Sequence, residues 1–383
     1  MKKPCILVAG GGTGGHVFPA VAVATAMLAL ADVEPVFFGT ARGIEARVVP
    51  ALGFRLELLD VGPMKGGGPA RAVRGGVLAA MATGRALRRV RELAPRAVLG
   101  VGGYASGPVT LAAALLGIPV TVLEPNSVVG LANKLVAPFV KRAYLGWKDA
   151  EGSFRPDACR VHGVPLRHGF GPCPYVPGAT RRILVMGGSQ GAAALNERMP
   201  AACARLAAMR GLQDLHIVHQ AGRDRDEAVR ADYAFAAVKG VTVTPFIDDV
   251  VRAIEAADLV VARAGAGTLA EITAIGRAAV LVPFPHAADD HQARNAEALA
   301  KAGGAACIRQ GAADPVRLAT EIARLLVDDA ARIAMADASR ACGKPAAATD
   351  VAADLLALAG IALRPRGATN GAARHHDAAP EVR

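Results

Sequence analysis

The chain has 383 residues, more than one ordinary hydrophobic core accommodates, and a guide of about 150 residues per domain favours two domains. Hydrophobic residues make up 52% of the sequence, which excludes a disordered chain and is typical of an α/β protein with buried parallel strands. The formal net charge of +11 favours anionic partners such as nucleotides, phospholipid head groups or nucleic acid, without choosing among them.

The sequence contains no strong signal for a metal site, a redox-active cysteine pair or export. The six cysteines form no Cys-x-x-Cys pair and no Cys/His spacing typical of zinc, so we predict free thiols in a reducing compartment and no metal site. Lys2 and Lys3 precede an apolar run that is too short for the core of a signal peptide. The most apolar window, 109–123, is broken by Gly117 and Pro119 and falls short of the roughly 20 residues of a spanning helix. Any membrane contact is therefore expected from the surface.

The first structural signal is the segment Ile6 to Pro19, ILVAGGGTGGHVFP, which runs from an apolar strand through a glycine-rich turn into a helix. Glycine has no Cβ and tolerates positive φ, so this turn can bring backbone N–H groups close to a ligand. Those groups and the helix dipole favour an anion. A similar turn recurs at Ile183 to Ala192, ILVMGGSQGA. Two such turns predict two nucleotide-type domains.

Strands and helices alternate after each turn. In the first half we predict strands at 34–38, 55–59, 97–101 and 119–123 and helices at 17–30, 43–52 and 71–93. In the second half we predict strands at 182–186, 214–219, 241–244, 258–262 and 279–282 and helices at 191–209, 249–256, 267–275 and 290–302. A proline-rich stretch at 152–178 predicts the interdomain linker.

The spacing Gly10-x-Gly12-x-x-Gly15 matches a dinucleotide-binding fingerprint, but one required residue is missing. That fingerprint needs an acidic residue at the end of the second strand, where this sequence reads FGT from Phe38. The lysine of a phosphate-binding P-loop is absent as well. Both nucleotide interpretations of this turn are weakened, and a purely structural turn is the alternative.

Two places in the first half carry polar side chains that could take part in chemistry. His16 follows the turn, where the positive end of the helix dipole opposes protonation, and an imidazole must be neutral to act as a general base. The alternative for His16 is a hydrogen-bonding role at the helix start. Glu124 and Asn126 follow a strand and place a carboxylate and an amide at its end, although Asn126 or Ser127 could instead cap the helix near Leu131.

The segment Arg263 to Glu271, RAGAGTLAE, leads from a strand into a helix. Its small residues would let a phosphate approach the helix N-terminus, and Glu271 could accept two ribose hydroxyls. A capping box between Thr268 and Glu271 is the alternative.

A further polar group begins the helix after the strand at 279–282. Asp289 and Asp290 are neighbours that point apart on a helix, so we predict that they cap it and do not bind a metal. Gln292 and Asn295 are predicted to contact sugar hydroxyls.

Seven segments taken in order resemble the MurG family of bacterial peptidoglycan N-acetylglucosaminyltransferases over residues 5–345: GGTGGHVFPA, VGGYASGP, LEPNSVVGLANK, GGSQGAAALNE, TPFIDD, RAGAGTLAEI and PFPHAADDHQARNA. The ordered set is specific, although no single motif is. The resemblance implies an α/β GT-B fold of two Rossmann-like, doubly wound domains with an interdomain cleft. It divides the chain into an acceptor- and membrane-side domain (1–163), a UDP-GlcNAc-side domain (164–343) and a helix crossing back to the first domain (344–362). The remaining residues, 363–383, are rich in Ala, Pro, Gly and Arg, which predicts a disordered tail.

The resemblance also implies a reaction. N-acetylglucosamine moves from UDP-GlcNAc to the muramoyl C4 hydroxyl of undecaprenyl-pyrophosphoryl-MurNAc-pentapeptide (lipid I), giving lipid II with inversion, without a metal or other cofactor and without a nucleic-acid partner. The implied location is the cytoplasmic face of the bacterial inner membrane, on an anionic surface. The arginine-rich helix at 71–93 and the group Lys134, Lys141 and Arg142 would match the membrane-facing side, with a solvated basic face as the alternative.

Residue by residue, the resemblance makes His16 or Glu124 the base and leaves open which of them takes the proton. The donor contacts that it implies are Thr13, Gly14, Gly15, Asn126, Arg167, Ser189, Ile247, Ala266, Gly267, Thr268, Leu269, Ala270, Glu271 and Gln292. Pro125, Val164 and Ala264 depart from the family pattern of Gln, Asn and Ser, which puts side-chain contacts at those positions in doubt.

Three other functional classes stay open at this stage. They are a related GT-B enzyme such as a UDP-GlcNAc 2-epimerase or a glycolipid glycosyltransferase, an NAD(P)-binding oxidoreductase, and a regulatory protein that binds a nucleotide sugar without turnover.

Overall fold

The structure, a computed structural model, describes residues 3–61, 69–178, 180–188 and 191–365, apart from the side chains of residues 69–80 and 288. The chain divides into two compact units. The first contains the residues up to His168 and those from Ala346 onward, and the second is Gly169–Pro345. Each unit is built on its own parallel sheet.

The first unit carries a seven-stranded sheet in the order β3-β2-β1-β4-β5-β6-β7, parallel throughout. Its strands are β1 (Cys5–Gly10), β2 (Glu34–Gly39), β3 (Arg55–Leu58), β4 (Ala97–Gly102), β5 (Val120–Glu124), β6 (Val140–Leu145) and β7 (Cys159–Arg160). The helices are α1 (Gly14–Leu30), α2 (Glu45–Ala51), α3 (Pro69–Leu93), α4 (Ser106–Leu115) and α5 (Leu131–Val136). Strands β1, β4 and β5 are buried along their whole length because helices cover both faces of the sheet.

The second unit carries a six-stranded parallel sheet in the order β10-β9-β8-β11-β12-β13. Its strands are β8 (Arg181–Met186), β9 (Leu215–Gln220), β10 (Val241–Thr244), β11 (Leu259–Ala262), β12 (Ala279–Leu281) and β13 (Ala306–Cys307). The helices are α6 (Ala193–Ala207), α7 (Asp226–Phe235), α8 (Val250–Ala256), α9 (Ala266–Ile275), α10 (His291–Lys301), α11 (Pro315–Val327) and α12 (Asp329–Cys342).

The last helix, α13 (Ala347–Leu358), packs on the first unit. Val351 and Leu355 are fully buried in a core cluster that also contains residues of β1 and α1. On the same helix, the Asp354 carboxylate accepts a hydrogen bond from the Tyr144 hydroxyl at 2.8 Å and pairs with Arg142 at 3.3 Å. Apolar burial and this polar contact together hold α13 against α1 and β6.

The linker between the units is shorter than the stretch predicted at 152–178. Strand β7 lies within that stretch and pairs with β6 of the first sheet. Further along, the Tyr175 hydroxyl donates to Asp258 at 2.5 Å, and its ring lies 5.5 Å from the guanidinium carbons of both Arg277 and Arg332. The prolines interrupt any periodic pattern in this stretch. Strand pairing at β7 and the side-chain contacts of Tyr175 nevertheless anchor its two parts to the first and the second unit, respectively.

The predicted disordered tail at 363–383 begins too early. The Arg364 backbone N–H donates to the Leu30 carbonyl at 2.7 Å, and its guanidinium donates to the Leu28 carbonyl at 2.9 Å. The chain is therefore anchored to the end of α1 at this point. Residues 366–383 lie outside the described part of the chain.

Candidate functional site

Each sheet reverses its strand order beside a glycine-rich turn. Strand β1 lies between β2 and β4, and β8 lies between β9 and β11. In open parallel α/β sheets, ligands bind at the carboxyl ends of the strands where the order reverses. The turns after β1 and β4 lie at this point of the first sheet, and the turns after β8 and β11 lie at this point of the second. Each unit therefore carries one candidate ligand-binding edge.

In the first unit, the turns after β1 and β4 pack against each other. The glycines at 10–12 have φ values between 91° and 154°, which only glycine adopts readily. The Gly11 N–H donates to the Gly102 carbonyl at 3.1 Å. Helix α1 follows with Thr13 as an extended N-cap whose side chain makes no capping bond. The first N–H groups of α1 thus lie at the carboxyl edge of the sheet and can donate to an anion.

His16 lies in the first turn of α1, between these two turns. Its Nδ1 is 3.4 Å from the Thr13 hydroxyl, and its Nε2 would lie 3.1 Å from a Cβ placed on Gly102. The glycine after β4 therefore leaves room for the imidazole ring. Thr13 and Gly15 are exposed, and Gly14 and His16 are partly exposed. The predicted phosphate contacts and the predicted base thus share one accessible edge.

Glu124 ends β5 with its side chain buried and fully engaged. One carboxylate oxygen accepts the backbone N–H and the side-chain amide of Asn126 at 3.1 and 3.2 Å. The other accepts the Gly130 N–H at 2.8 Å and the Asn133 amide at 3.1 Å. These bonds close the loop after β5. The N-cap of α5 is Gly130, so the alternative in which Asn126 or Ser127 caps this helix is wrong.

In the second unit, the N-terminus of α9 is open. A Cβ on Gly265 or Gly267 would meet no atom of the described residues within 4 Å. The N-cap is Gly265, so Thr268 lies inside the helix and the alternative capping box with Glu271 is wrong. Thr268 and Glu271 are partly buried, whereas Leu269 is fully buried, so only the backbone of Leu269 is available to a ligand.

Helix α10 carries both predicted sugar contacts, and only the one at Gln292 stays a prediction. The Gln292 side-chain oxygen accepts the Phe284 N–H at 3.0 Å, which ties the start of α10 to the loop after β12. Its amide nitrogen is therefore the group that can donate to a sugar hydroxyl. Asn295, one turn later, is fully buried, so the predicted contact between Asn295 and a sugar is wrong.

The predicted acidic cap of α10 does not form as expected. Asp290 occupies the N-cap position with a φ of 53° but makes no capping bond. Its carboxylate pairs instead with Arg309 at 3.0 Å. An ion pair from a distant segment thus replaces the local capping bond that the sequence pattern suggested.

The other predicted donor contacts are scattered along the chain. Ile247 is buried. Arg167 is exposed and directly precedes His168, where the first segment of the first unit ends. Ser189 lies outside the described residues.

Among the described residues, no three His, Cys, Asp or Glu side chains come together as a metal centre requires. In the same part of the chain, no helix combines the length and the apolar character needed to cross a bilayer.

Two family models match the sequence along most of its length. The N-terminal domain of glycosyltransferase family 28 matches residues 6–145, and the C-terminal domain of that family matches residues 182–354. A UDP-N-acetylglucosamine–N-acetylmuramyl-(pentapeptide) pyrophosphoryl-undecaprenol N-acetylglucosamine transferase of Sorangium cellulosum is 53% identical, over 92% of this chain and 88% of the relative. The enzyme of the same name from Syntrophotalea carbinolica is 44% identical, over 90% and 96%. The chain belongs to the MurG family.

A solved structure of the MurG family agrees with this assignment. The crystal structure of Acinetobacter baumannii MurG matches with a TM-score of 0.76 and 34% identity, covering 92% of this chain and 99% of that one. The predicted GT-B class, with two Rossmann-like domains, is confirmed. The alternative of an NAD(P)-binding oxidoreductase is wrong, because both domains are those of a glycosyltransferase.

Two buried polar groups of this MurG-family chain were not singled out from the sequence. Glu45, at the start of α2, accepts the N–H of Gly12 in the first glycine turn at 2.7 Å. Asn133, on α5, supports the Glu124 carboxylate. The only local signal was an acidic residue in the first turn of a helix and an amide just after the EPNSVVG turn. Glu45 and Gly12 are 33 residues apart, and Asn133 and Glu124 lie on different elements. The local sequence pattern therefore did not indicate these contacts.

A buried network also supports the second glycine turn. The two ring nitrogens of His219 lie 3.0 Å from the Tyr233 hydroxyl and 3.1 Å from the Asn196 side-chain oxygen. The Asn196 amide donates to the Ala221 carbonyl at 2.9 Å. A Cβ on Gly191 would overlap that same carbonyl. The network therefore fixes the end of β9 against which the turn packs.

Burial of His219 predicts acid lability. It lowers the pKa of His219 to about 4, from an ordinary value of 6.5. Below pH 6.5 this histidine is protonated in the unfolded chain, whereas in the folded protein it stays neutral down to about pH 4. The free energy of unfolding therefore falls as the pH drops. The expected loss between pH 7.5 and pH 5 is about 2 kcal/mol. Denaturant unfolding at both pH values should show a smaller loss for His219→Gln, and an equal loss in both proteins would assign the lability elsewhere.

Proposed function

We propose that this protein transfers N-acetylglucosamine from UDP-GlcNAc to the muramoyl C4 hydroxyl of lipid I, giving lipid II with inversion. The observation that carries the proposal is the match of both domains to relatives whose names state this activity. The acceptor oxygen attacks the anomeric carbon, the bond from that carbon to the UDP oxygen breaks, and a base takes the hydroxyl proton. The enzyme is thus a UDP-GlcNAc-dependent hexosyltransferase of peptidoglycan synthesis.

His16 is the base in this proposal, and Glu124 holds a loop. His16 lies partly exposed at the carboxyl edge of the first sheet, against the turn after β4. The Glu124 carboxylate is 2% exposed and accepts four hydrogen bonds, which it would have to surrender in order to take a proton. This difference favours the imidazole for proton abstraction.

The donor binds mainly to the second unit. The N-terminus of α9, open beside Gly265 and Gly267, receives the pyrophosphate, and the helix dipole favours its negative charge. Glu271 accepts the ribose hydroxyls, and the Gln292 amide nitrogen donates to a sugar hydroxyl. Electrostatic stabilisation of the leaving UDP by helix N-termini takes the place of a metal ion. The other contacts in the proposal are Thr13, Gly14, Gly15, Asn126, Arg167, Ser189, Ile247 and the backbone of 266–270.

A calorimetric titration separates this proposal from its alternatives. UDP-GlcNAc and UDP should bind, because the pyrophosphate and ribose contacts belong to both, whereas NADPH should give no heat of binding. Binding of NADPH without binding of UDP would contradict the proposal. Binding of UDP-GlcNAc without turnover would leave the protein as a nucleotide-sugar-binding regulator.

We also propose that the enzyme is bound peripherally at the cytoplasmic face of the inner membrane, on an anionic surface. Support comes from α5 and the turn after it, where Leu131, Leu135 and Phe139 are 57%, 59% and 51% exposed. Lys134 of α5 and Lys141 at the start of β6 are also exposed. Exposed apolar side chains interleaved with lysines are typical of surfaces that enter the interface of an anionic membrane.

The arginines of α3 contribute less than the sequence suggested. Arg89 pairs with Glu57 at 2.8 Å, and Arg88 pairs with Glu92 at 3.1 Å. These partners neutralise part of the basic face. The loop at 62–68, with its lysine, and the side chains of Arg71 and Arg74 lie outside the described part of the chain. The membrane test is therefore better placed on α5 and the segment after it.

Charge reversal on that segment should weaken membrane binding. Lys134→Glu with Lys141→Glu removes two basic residues and adds two acidic ones, so affinity for vesicles with anionic lipid should fall by at least about tenfold at low salt. Co-sedimentation measures this. The control, Arg223→Glu with Lys239→Glu, makes the same charge change at exposed positions of the second unit. If both double variants sediment alike, the surface around Lys134 and Lys141 is only a solvated basic surface.

A further inference from the structure

We propose that Glu45 is a positioning residue, which fixes the first glycine turn and through it the base His16. The proposal rests on the function proposed above. Glu45 is the first residue of α2 and is only 2% exposed. A carboxylate buried to this degree is stable only where donors surround it. Its partners therefore show what it holds in place.

The Glu45 carboxylate joins the turn after β1 to the end of β2. One oxygen accepts the Gly12 N–H at 2.7 Å. The other accepts the Thr40 N–H at 2.9 Å and the Thr40 hydroxyl at 3.0 Å. The carboxylate also lies in the first turn of α2, where the helix dipole favours negative charge. Hydrogen bonds from the glycine turn and from the residue after β2 thus converge on one side chain, beside the positive end of a helix dipole.

Three glycines make room for this carboxylate. A Cβ on Gly11, Gly39 or Gly43 would overlap Glu45 side-chain atoms. These glycines come from the turn after β1, the end of β2 and the loop before α2. The glycines in and near the fingerprint therefore make room for the buried Glu45 carboxylate, in addition to any approach of a ligand. In this structure the position beside the turn is filled by the protein itself.

A short chain of contacts leads from Glu45 to the base. Gly12, which Glu45 holds, precedes Thr13, and the Thr13 carbonyl accepts the His16 N–H at 3.1 Å. On its other side the turn is held by the Gly102 carbonyl, and His16 lies against Gly102. The Glu45 carboxylate and the turn after β4 thus fix the turn from two directions. Displacement of the turn would displace the first residues of α1 together with the imidazole.

The variant Glu45→Gln tests this role with almost no change in size. Its amide presents an acceptor to only one of the two backbone N–H groups and places its own N–H₂ against the other. We expect kcat for transfer to the lipid I analogue to fall by about 10- to 100-fold, since small displacements of a catalytic group are costly. The Kd for UDP and the KM for UDP-GlcNAc should change by less than kcat does, because most of the proposed donor contacts lie on the second unit and only Thr13, Gly14 and Gly15 adjoin this turn.

Two further variants distinguish positioning from simple destabilisation. Tyr144→Phe removes a hydrogen bond to Asp354 elsewhere in the same unit and should lower Tm without lowering kcat. Glu45→Asp retains both acceptors on a shorter stem and should recover part of the kcat lost in Glu45→Gln. If Glu45→Gln does not fold, Glu45→Asp decides, and the loss of kcat is then expected to exceed the loss of UDP affinity.

The proposal is overturned if Glu45→Gln, or Glu45→Asp in its place, keeps kcat within twofold of the wild type. It is also overturned if kcat falls in proportion to Tm in Tyr144→Phe as well. Failure of the proposed function would look different, because the wild-type protein itself would then transfer no sugar.

Discussion

Replacing His16 by alanine is expected to lower kcat by about 10² to 10⁴ while leaving the affinity for UDP nearly unchanged. The imidazole lies at the carboxyl edge of the first sheet, against Gly102 and near the Thr13 hydroxyl. A general base acts on the acceptor hydroxyl in the transition state, so its loss should appear in kcat and not in donor binding. Steady-state kinetics at saturating substrates, with UDP calorimetry alongside, measure both quantities.

The matched control for this variant is His216→Ala, which removes an exposed imidazole from β9 of the second unit. Its kcat should equal that of the wild type. A near-normal kcat for His16→Ala would move the base to Glu124, the other carboxyl-edge candidate. In that case the four hydrogen bonds on Glu124 would have to rearrange when the acceptor binds.

Replacing Glu271 by alanine should affect the other half of the reaction. Loss of the carboxylate leaves two ribose hydroxyls without their acceptor, at a typical cost of about 1 to 3 kcal/mol in donor binding. The KM for UDP-GlcNAc and the Kd for UDP should therefore rise by roughly 5- to 150-fold. Because the lost contact exists in both the ground state and the transition state, kcat should change much less.

Glu255→Ala is the control for Glu271→Ala, since Glu255 is an exposed acid on α8 of the same unit. It changes the net charge equally and should leave UDP binding unaltered. Equal UDP affinity in Glu271→Ala and the wild type would show that the ribose does not bind to Glu271 of α9. The assignment of the donor to the second unit would then fail.

Most of the parallel strands and both glycine turns could be predicted from the sequence because they are local patterns, whereas strands β6, β7 and β13 were not predicted. A buried parallel strand is a short apolar run, and the turns at its end contain the glycines that positive φ requires. Helices α11 and α12 were not predicted, although Asp314 and Asp328 cap them as the capping pattern would have indicated. Helix α4, SGPVTLAAAL, is apolar on most sides and has Gly and Pro in its first turn, so it shows little helical periodicity.

The failures at the site have a common physical cause. Asp290 pairs with an arginine 19 residues away, and Glu45 binds a turn 33 residues away. Local patterns predict the partner that is near in sequence, such as a helix cap, but a charged group can be taken by a partner that the fold brings close. The residues that touch a ligand were suggested by turns at strand ends, whereas the residues that support those turns became visible only in three dimensions.

The most direct test of the central claim is transfer of labelled N-acetylglucosamine from UDP-GlcNAc to a lipid I analogue in the presence of EDTA. We predict formation of the disaccharide product with inverted anomeric configuration and release of one UDP per sugar, at the rate seen without EDTA. Conversion of UDP-GlcNAc to its C2 epimer with no labelled acceptor would contradict the account.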